Sequence, residues 1–203
     1  GGGDQKGSVL PVRLMLAWAE SARKKIGSLP LPLLPWLLAL LACLAFLPSL
    51  GADFVNWDDN VYVYENPHIR SLDWGVLRWS LTATVGAHWN PVALLSLALD
   101  RALWGLNPFG YHLSNVLLHG LNMVLVFHLA MALAKRPVAG LLAACEPTPL
   151  LGASAALVFF GLHPLRVESV VRATERRDVL SGLLYMGSVL AYLRFVEGRR
   201  PGL

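Results

Sequence analysis

The sequence predicts an all-α, polytopic membrane protein with four transmembrane helices and amphipathic interfacial helices in its first outer loop. Three observations lead there. Hydrophobic residues make up 55% of the 203-residue chain and charged residues only 15%, against about 25% charged in soluble domains. The apolar residues gather into long uncharged runs, on the scale of the about 20 residues a helix needs to cross a hydrocarbon core. Basic residues cluster in alternate loops, as they do where Lys and Arg accumulate on the cytoplasmic side. That tendency also accounts for the formal charge of +4, so no nucleic acid is expected as a partner. Cys43 and Cys145 lie far apart in apolar surroundings, without the spacing of a metal knuckle or a disulfide framework.

Two domains are expected, a cytoplasmic N-terminal segment over residues 1–32 and a transmembrane domain over 33–203. After a Gly-rich start, Leu10, Leu14, Ala17 and Trp18 oppose Arg13, Glu20 and Arg23, the pattern of an amphipathic helix lying on a membrane surface. Residues 26–52 contain no charge. Pro30, Pro32 and Pro35 crowd the start of this run, so the first span is expected from about Pro35 to about Leu50. A signal peptide has the same order of basic and apolar segments, but this run is longer than an h-region and lacks a small-x-small cleavage site.

Residues 53–110 form the first outer loop, and its opening is the most unusual stretch of the chain. Asp58 and Asp59 stand side by side, flanked by Trp57, Asn56 and Asn60, where a chain leaving the bilayer meets the headgroups. Paired acids there suit a site that abstracts a proton or holds a cation beside a membrane-borne substrate; an ordinary polar turn is the alternative. On an extended strand the two carboxylates would point to opposite faces, one into the reaction cavity and one bracing the loop. Further on, Ser71 can cap a helix presenting Leu72, Val76, Leu77 and Trp79, and Asn90-Pro91 opens another that Asp100 and Arg101 make amphipathic. Trp74, Trp79, Trp89 and Trp104 fit headgroup depth or core packing equally well.

The second span, 111–134, is striped with His112, Asn115, His119 and Asn122, whose spacing puts all four on one helix face. Such a face must look into protein or a wet cavity; hydrogen bonding between helices without chemistry is the alternative. His128 falls off the stripe. A third span is expected within 147–165 and a fourth over 179–193, closed by Arg194, Arg199 and Arg200. With the N-terminal segment, the Lys135-Arg136 turn and the C-terminal tail cytoplasmic, the loops holding Asp58 and Arg166 share the non-cytoplasmic side. Arg166, Arg172, Arg176 and Arg177 then run against the tendency for basic residues to stay inside. An anionic ligand would explain them, as would pairing with Glu168, Glu175 and Asp178.

Phosphate loops, His-Glu-x-x-His, Gly-x-Ser-x-Gly, Cys-x-x-Cys and a 34-residue repeat are all absent from the sequence. What is present resembles a family. Val55-Asn56-Trp57-Asp58-Asp59, His88-Trp89-Asn90-Pro91, Tyr111-His112-Leu113-Ser114-Asn115-Val116-Leu117-Leu118-His119 and His163-Pro164-Leu165-Arg166-Val167-Glu168-Ser169-Val170 with Glu175-Arg176-Arg177-Asp178 follow one another over about residues 35–195. Together they look like the N-terminal part of the transmembrane and tetratricopeptide-repeat O-mannosyltransferase-like proteins, which belong to the GT-C glycosyltransferases. The resemblance implies a partial GT-C-like fold, a membrane-lipid setting and transfer of a sugar from a polyprenyl-phosphate donor to a protein or glycan hydroxyl. It matches Asp58 and Asp59 to the acidic catalytic pair and Arg166, Glu168 and Arg176 to the polar cluster of the second outer loop. It also implies that the chain is an N-terminal part, without the further membrane helices and repeat domain of full members. Arg172 departs from the pattern, standing where an aromatic residue is expected.

The chemistry such a reaction needs is simple. A phosphate leaving group, with a second pKa of about 6, departs without a general acid. What remains is to accept the proton of the attacking hydroxyl and to stabilise charge developing on the phosphate. Asp58 is the expected base, by the resemblance. Arg166 and Arg176 are the expected anion ligands, with sugar contacts from Asn115, His119, Glu168 and, at the start of the second-loop motif, His163. A divalent metal held by Asp58 and a metal-free base look alike in sequence, so both stay open. A transporter or binding subunit would line its path with the same His and Asn stripe.

Overall fold

Three helical segments, Leu34–Gly51, Pro108–Ala134 and Ala173–Gly198, are long and apolar enough to cross a membrane. They belong to a computed structural model that describes residues 31–134 and 149–198. The chain divides into two units after Leu34, and the fold from Pro35 onward is that of the second. The expected N-terminal surface helix, the Lys135-Arg136 turn, Cys145 and Arg199 and Arg200 lie outside the described residues.

The first span begins as helix α1, Leu34–Cys43, and tightens into a 3₁₀ stretch, Leu44–Gly51, that carries Pro48 inside it. Proline has no N–H to donate and its ring crowds the carbonyl four residues back, that of Leu44, where the α-helical pattern gives way. Trp36, Leu40, Leu41 and Leu47 are exposed on this segment, which a bilayer tolerates and water does not.

Between the first and second spans lie helices α2, Trp74–Thr82, and α3, Pro91–Trp104. The cap of α2 is Asp73, whose carboxylate accepts from the Val76 amide at 3.0 Å. Ser71, the expected cap, instead donates to Asp73 at 2.7 Å; it lies too far upstream to reach the orphan amides of the first turn. Pro91 occupies the first position of α3, where its missing N–H costs nothing. The helix stops at Gly105, whose φ of 64° lies in the left-handed region that glycine enters freely.

Helix α4, Pro108–Ala134, is the axis of the molecule. It packs against the 44–51 segment, α3 and three later helices: α5, Pro149–Leu162; α6, Arg166–Val171; and α7, Arg176–Gly198. At 14 residues, α5 extends about 21 Å, short of a hydrocarbon core of about 30 Å. Tyr62, Ile69, Val76, Leu94, Leu97 and Tyr111 form one core around the loop end of the helices. Ala39, Met123, Phe127 and Leu157 form another along their length. The described residues contain no strand, only an isolated bridge between Val85 and His88.

Candidate active site

The chain leaving the first span turns at Asn56–Asp58 and enters a single π-helical turn, Asn60–Tyr64. Asp59 has helical dihedrals, φ −61° and ψ −28°. The extended strand expected here is therefore replaced by helical backbone, in which neighbouring side chains diverge by about 100°. The two acids still part company. Asp59 is 1% exposed and braces the loop, its Oδ2 accepting from the Val55 amide at 2.9 Å. Asp58 keeps 36% of its side chain exposed and lies 3.1 Å from the guanidinium of Arg172.

Arg172 ends α6 and gathers three acids. Besides Asp58 it meets Glu168 at 3.0 Å and Glu175 at 3.5 Å. Glu175, itself buried, accepts two hydrogen bonds from Arg177, at 3.0 and 3.2 Å. A string Asp58, Arg172, Glu175, Arg177 therefore joins the loop after the first span to the start of α7. The Tyr62 hydroxyl lies within electrostatic reach of Arg177, Asp58 and Glu175, and burial pushes its pKa up. It spends its proton on the Val85 carbonyl at 2.6 Å. Asn90, whose side chain lies within hydrogen-bonding reach of that hydroxyl, has both amide atoms sealed from solvent. Below Arg177 a cavity of about 360 Å³, walled by Pro91, Val92, Leu180 and Leu184, runs between α3 and α7. Charge thus sits at the head of an apolar groove.

A second, buried network holds this string in place. Arg176, 1% exposed, donates to Asp100, Asn115, Ser96 at 2.7 Å and the Tyr111 carbonyl at 3.0 Å. Ser114 donates to the other Asp100 oxygen at 2.8 Å. Burial pushes the Asp100 carboxyl up, and the Arg176 charge opposes that shift. Asn115 donates at 2.7 Å to the backbone carbonyl of Arg172, so the buried network fixes the point from which Arg172 reaches Asp58.

The Asp58 loop, the stripe of α4 and the charged turn before α7 are thus one physical unit, and known proteins share the segment that builds it. The chain is 31% identical over 194 residues to the Protein O-mannosyl-transferase TMTC1 of Mus musculus, which covers 88% of this chain and 18% of that protein. It is 33% identical over 171 residues to the Protein O-mannosyl-transferase tmtc2 of Xenopus laevis, covering 78% and 18%, and 32% identical over 175 residues to Tmtc2 of Drosophila melanogaster, covering 80% and 17%. The chain is a TMTC-like N-terminal part. It spans less than a fifth of the length of these relatives. No family model and no solved structure matches it.

In this TMTC-like part the residues singled out from sequence fall into three places. Asp58 and Glu168 meet through Arg172 in the exposed string. Asn115 and Arg176 meet in the buried network. The third group, His119, His163 and Arg166, makes no contact with Asp58: His119 shares a hydrogen bond of 3.1 Å with the Gly161 carbonyl, His163 accepts from the Leu165 amide, and Arg166 lies 4.4 Å over the Phe160 ring. Most of the α4 stripe is thus spent between helices, since Asn115, His119 and Asn122 all engage carbonyls of neighbouring segments. His112, 2% exposed, has neither ring nitrogen paired among the described residues.

From sequence, Arg172, Arg177 and Glu175 figure only as an anion-binding or internally paired group without individual roles, and Tyr62 and Asn90 are not singled out. The signals were there: Glu175 and Arg177 belong to the Glu-Arg-Arg-Asp run, Asn90 to His-Trp-Asn-Pro, and Arg172 was the departure from the family pattern. Among the described residues no three His, Cys, Asp or Glu side chains converge as a metal site, and Arg172 occupies the space beside Asp58 that a cation would take.

Proposed function

We propose that this chain forms the donor-binding and catalytic part of a GT-C type glycosyltransferase, moving a sugar from a polyprenyl phosphate to a protein hydroxyl. One observation carries the reading: Asp58, the exposed acid of the pair, is ion-paired to Arg172 beside an arginine that heads an apolar groove. The groove between α3 and α7 takes the first part of the prenyl chain. Arg177 and Arg172 face the phosphate, and Asn90, which lines the groove with Arg177, lies where the sugar enters.

The acceptor oxygen attacks the anomeric carbon, the bond from that carbon to the phosphate oxygen breaks, and its electron pair stays on the phosphate. Asp58 takes the hydroxyl proton. Arg172 shifts from Asp58 toward the phosphate, which frees the carboxylate as a base while charge grows on the leaving group. Arg176 serves this site by positioning and Asp59 by bracing the loop. In the same reading the uncharged run 147–165, which contains α5, is a fourth membrane span, α2 and α3 lie in the interface with the exposed Trp74 and Trp89 at headgroup depth, and the Asp58 loop faces the non-cytoplasmic side.

The test is photolabelling of the chain in lipid nanodiscs with a polyprenyl phosphate carrying a diazirine near its phosphate. Adducts are expected on residues 89–93 and 177–184, weakened roughly tenfold by Arg172→Gln and Arg177→Gln, the loss of about 1.4 kcal/mol. Labelling that ignores both substitutions would overturn the reading.

A further inference from the structure

A separate cavity of about 370 Å³ lies among α4, α5, α6 and α7. It uses Asp178, Gly182, Tyr185 and Met186 of α7, whereas the groove described above uses Arg177, Leu180, Ser181 and Leu184. At 100° per residue these sets fall on opposite flanks of α7. The same rotation along α6 turns Arg166 and Ser169 toward this cavity and Glu168 and Arg172 away from it.

Its lining is sorted by depth. Arg166, Ser169 and Asp178 sit at one end; from Asp178 to Met186 the wall descends about 12 Å along α7, facing Val126 and Leu129 of α4. No carboxylate lies within ion-pair distance of Arg166 among the described residues, and its guanidinium rests on the Phe160 ring. The Asp178 carboxylate likewise has no cation within ion-pair distance there; Arg177 acts on it only through space, and its hydrogen bond comes from Ser169 at 3.0 Å. One rim therefore carries a cation and an anion that do not satisfy each other, above an apolar slot.

We propose that this cavity binds one zwitterionic phospholipid, with its phosphate on Arg166, its ammonium on Asp178 and an acyl chain between α4 and α7. Charge complementarity selects this occupant. A prenyl phosphate sugar brings negative charge and only neutral hydroxyls, with no cation to answer Asp178, while a zwitterion satisfies both rim charges. The proposal does not depend on catalysis, and it stands or falls apart from the donor site on the other flank.

The chain is reconstituted in nanodiscs containing equal amounts of phosphatidylethanolamine and phosphatidylglycerol, one or the other carrying an acyl-chain diazirine, and adducts are mapped after digestion. Phosphatidylethanolamine adducts on residues 126–129 and 182–186 are expected to exceed phosphatidylglycerol adducts by about fivefold, a difference of about 1 kcal/mol. Arg166→Gln should bring them to the level of the general lipid-facing surface, and Asp178→Asn should admit phosphatidylglycerol. Gly182→Leu, which fills the slot and leaves the rim charges in place, should bring adducts with both lipids to that same surface level, with circular dichroism confirming that helix content is kept. Equal labelling by the two lipids, a preference for phosphatidylglycerol, or labelling unchanged by Gly182→Leu would each overturn the proposal.

Discussion

Asp58 and Asp59 are neighbours in sequence with separate tasks, because one carboxylate is spent inside the loop and the other is held at its surface by an arginine. In the proposed reaction, Asp58→Asn keeps size and hydrogen bonding but removes basicity. Turnover by the membrane-embedded protein that carries this segment should fall by about 10²- to 10⁴-fold. Asp59→Asn should act on stability instead, weakening a charge-assisted bond worth about 1.5–3 kcal/mol. A turnover loss of the same size in both variants would count against assigning the base to Asp58. Arg176 gives a sharper stability expectation. Arg176→Gln leaves Asp100 buried without its cation, and breaking such a pair typically costs about 3–5 kcal/mol. Thermal unfolding in detergent reads this directly; a change within measurement error would mean that Asp100 is neutralised some other way. The residue types of this network were legible in sequence, but its pairings were not. Arg166, Arg172, Arg176 and Arg177 look equivalent in a string of letters, and only their phases on α6 and α7 send one to a ring, one to Asp58 and one into the core.

The elements were easier to read where a single local rule decides them. Pro91 marks the start of α3 through backbone chemistry alone, whereas its end at Gly105 was hidden by the apolar residues that continue to Leu106. At α2 two residues competed for one role, and the nearer one won. Hydrogen bonds from Ser71 and then from the Val76 amide hold the Asp73 carboxyl below its ordinary range. Its folded pKa is thus below its unfolded one, so the stability that the cap lends is present above the unfolded value, about 3.9. It is lost as pH falls through the lower folded value. Hydrogen exchange at the Val76 amide is therefore expected to speed up below about pH 4 beyond the intrinsic trend, and Asp73→Ala to show the fast exchange at every pH. The first turn of α4 carries another local constraint: a Cβ at Gly110 would overlap the ring of Trp104 at the end of α3. Gly110→Ala should cost about 1–3 kcal/mol through displacement of that ring or of the turn.

At the scale of the whole molecule, the spans were legible because a bilayer demands long unbroken apolar runs, and α1 with its 3₁₀ extension, α4 and α7 meet that demand. The site was legible only as a neighbourhood, since contacts such as that of Asp58 with Arg172, 114 positions apart, depend on how α4 gathers its partners. Sidedness rests on charge alone and is open to direct test. Helix α4 is about 40 Å long over its 27 residues, so its two ends reach opposite surfaces if it spans. Val61, at the loop end, is 47% exposed, and Leu133, near the far end, is 49% exposed. In a background with Cys43→Ala and Cys145→Ser, Val61→Cys should react with an impermeant maleimide from the non-cytoplasmic face of sealed vesicles, and Leu133→Cys only once the membrane is opened. Reaction of both from one face would mean that α4 does not span. The reverse pattern would keep the span and invert it, placing the four arginines around α6 and α7 on the cytoplasmic side, where their charge would need no anion to explain it.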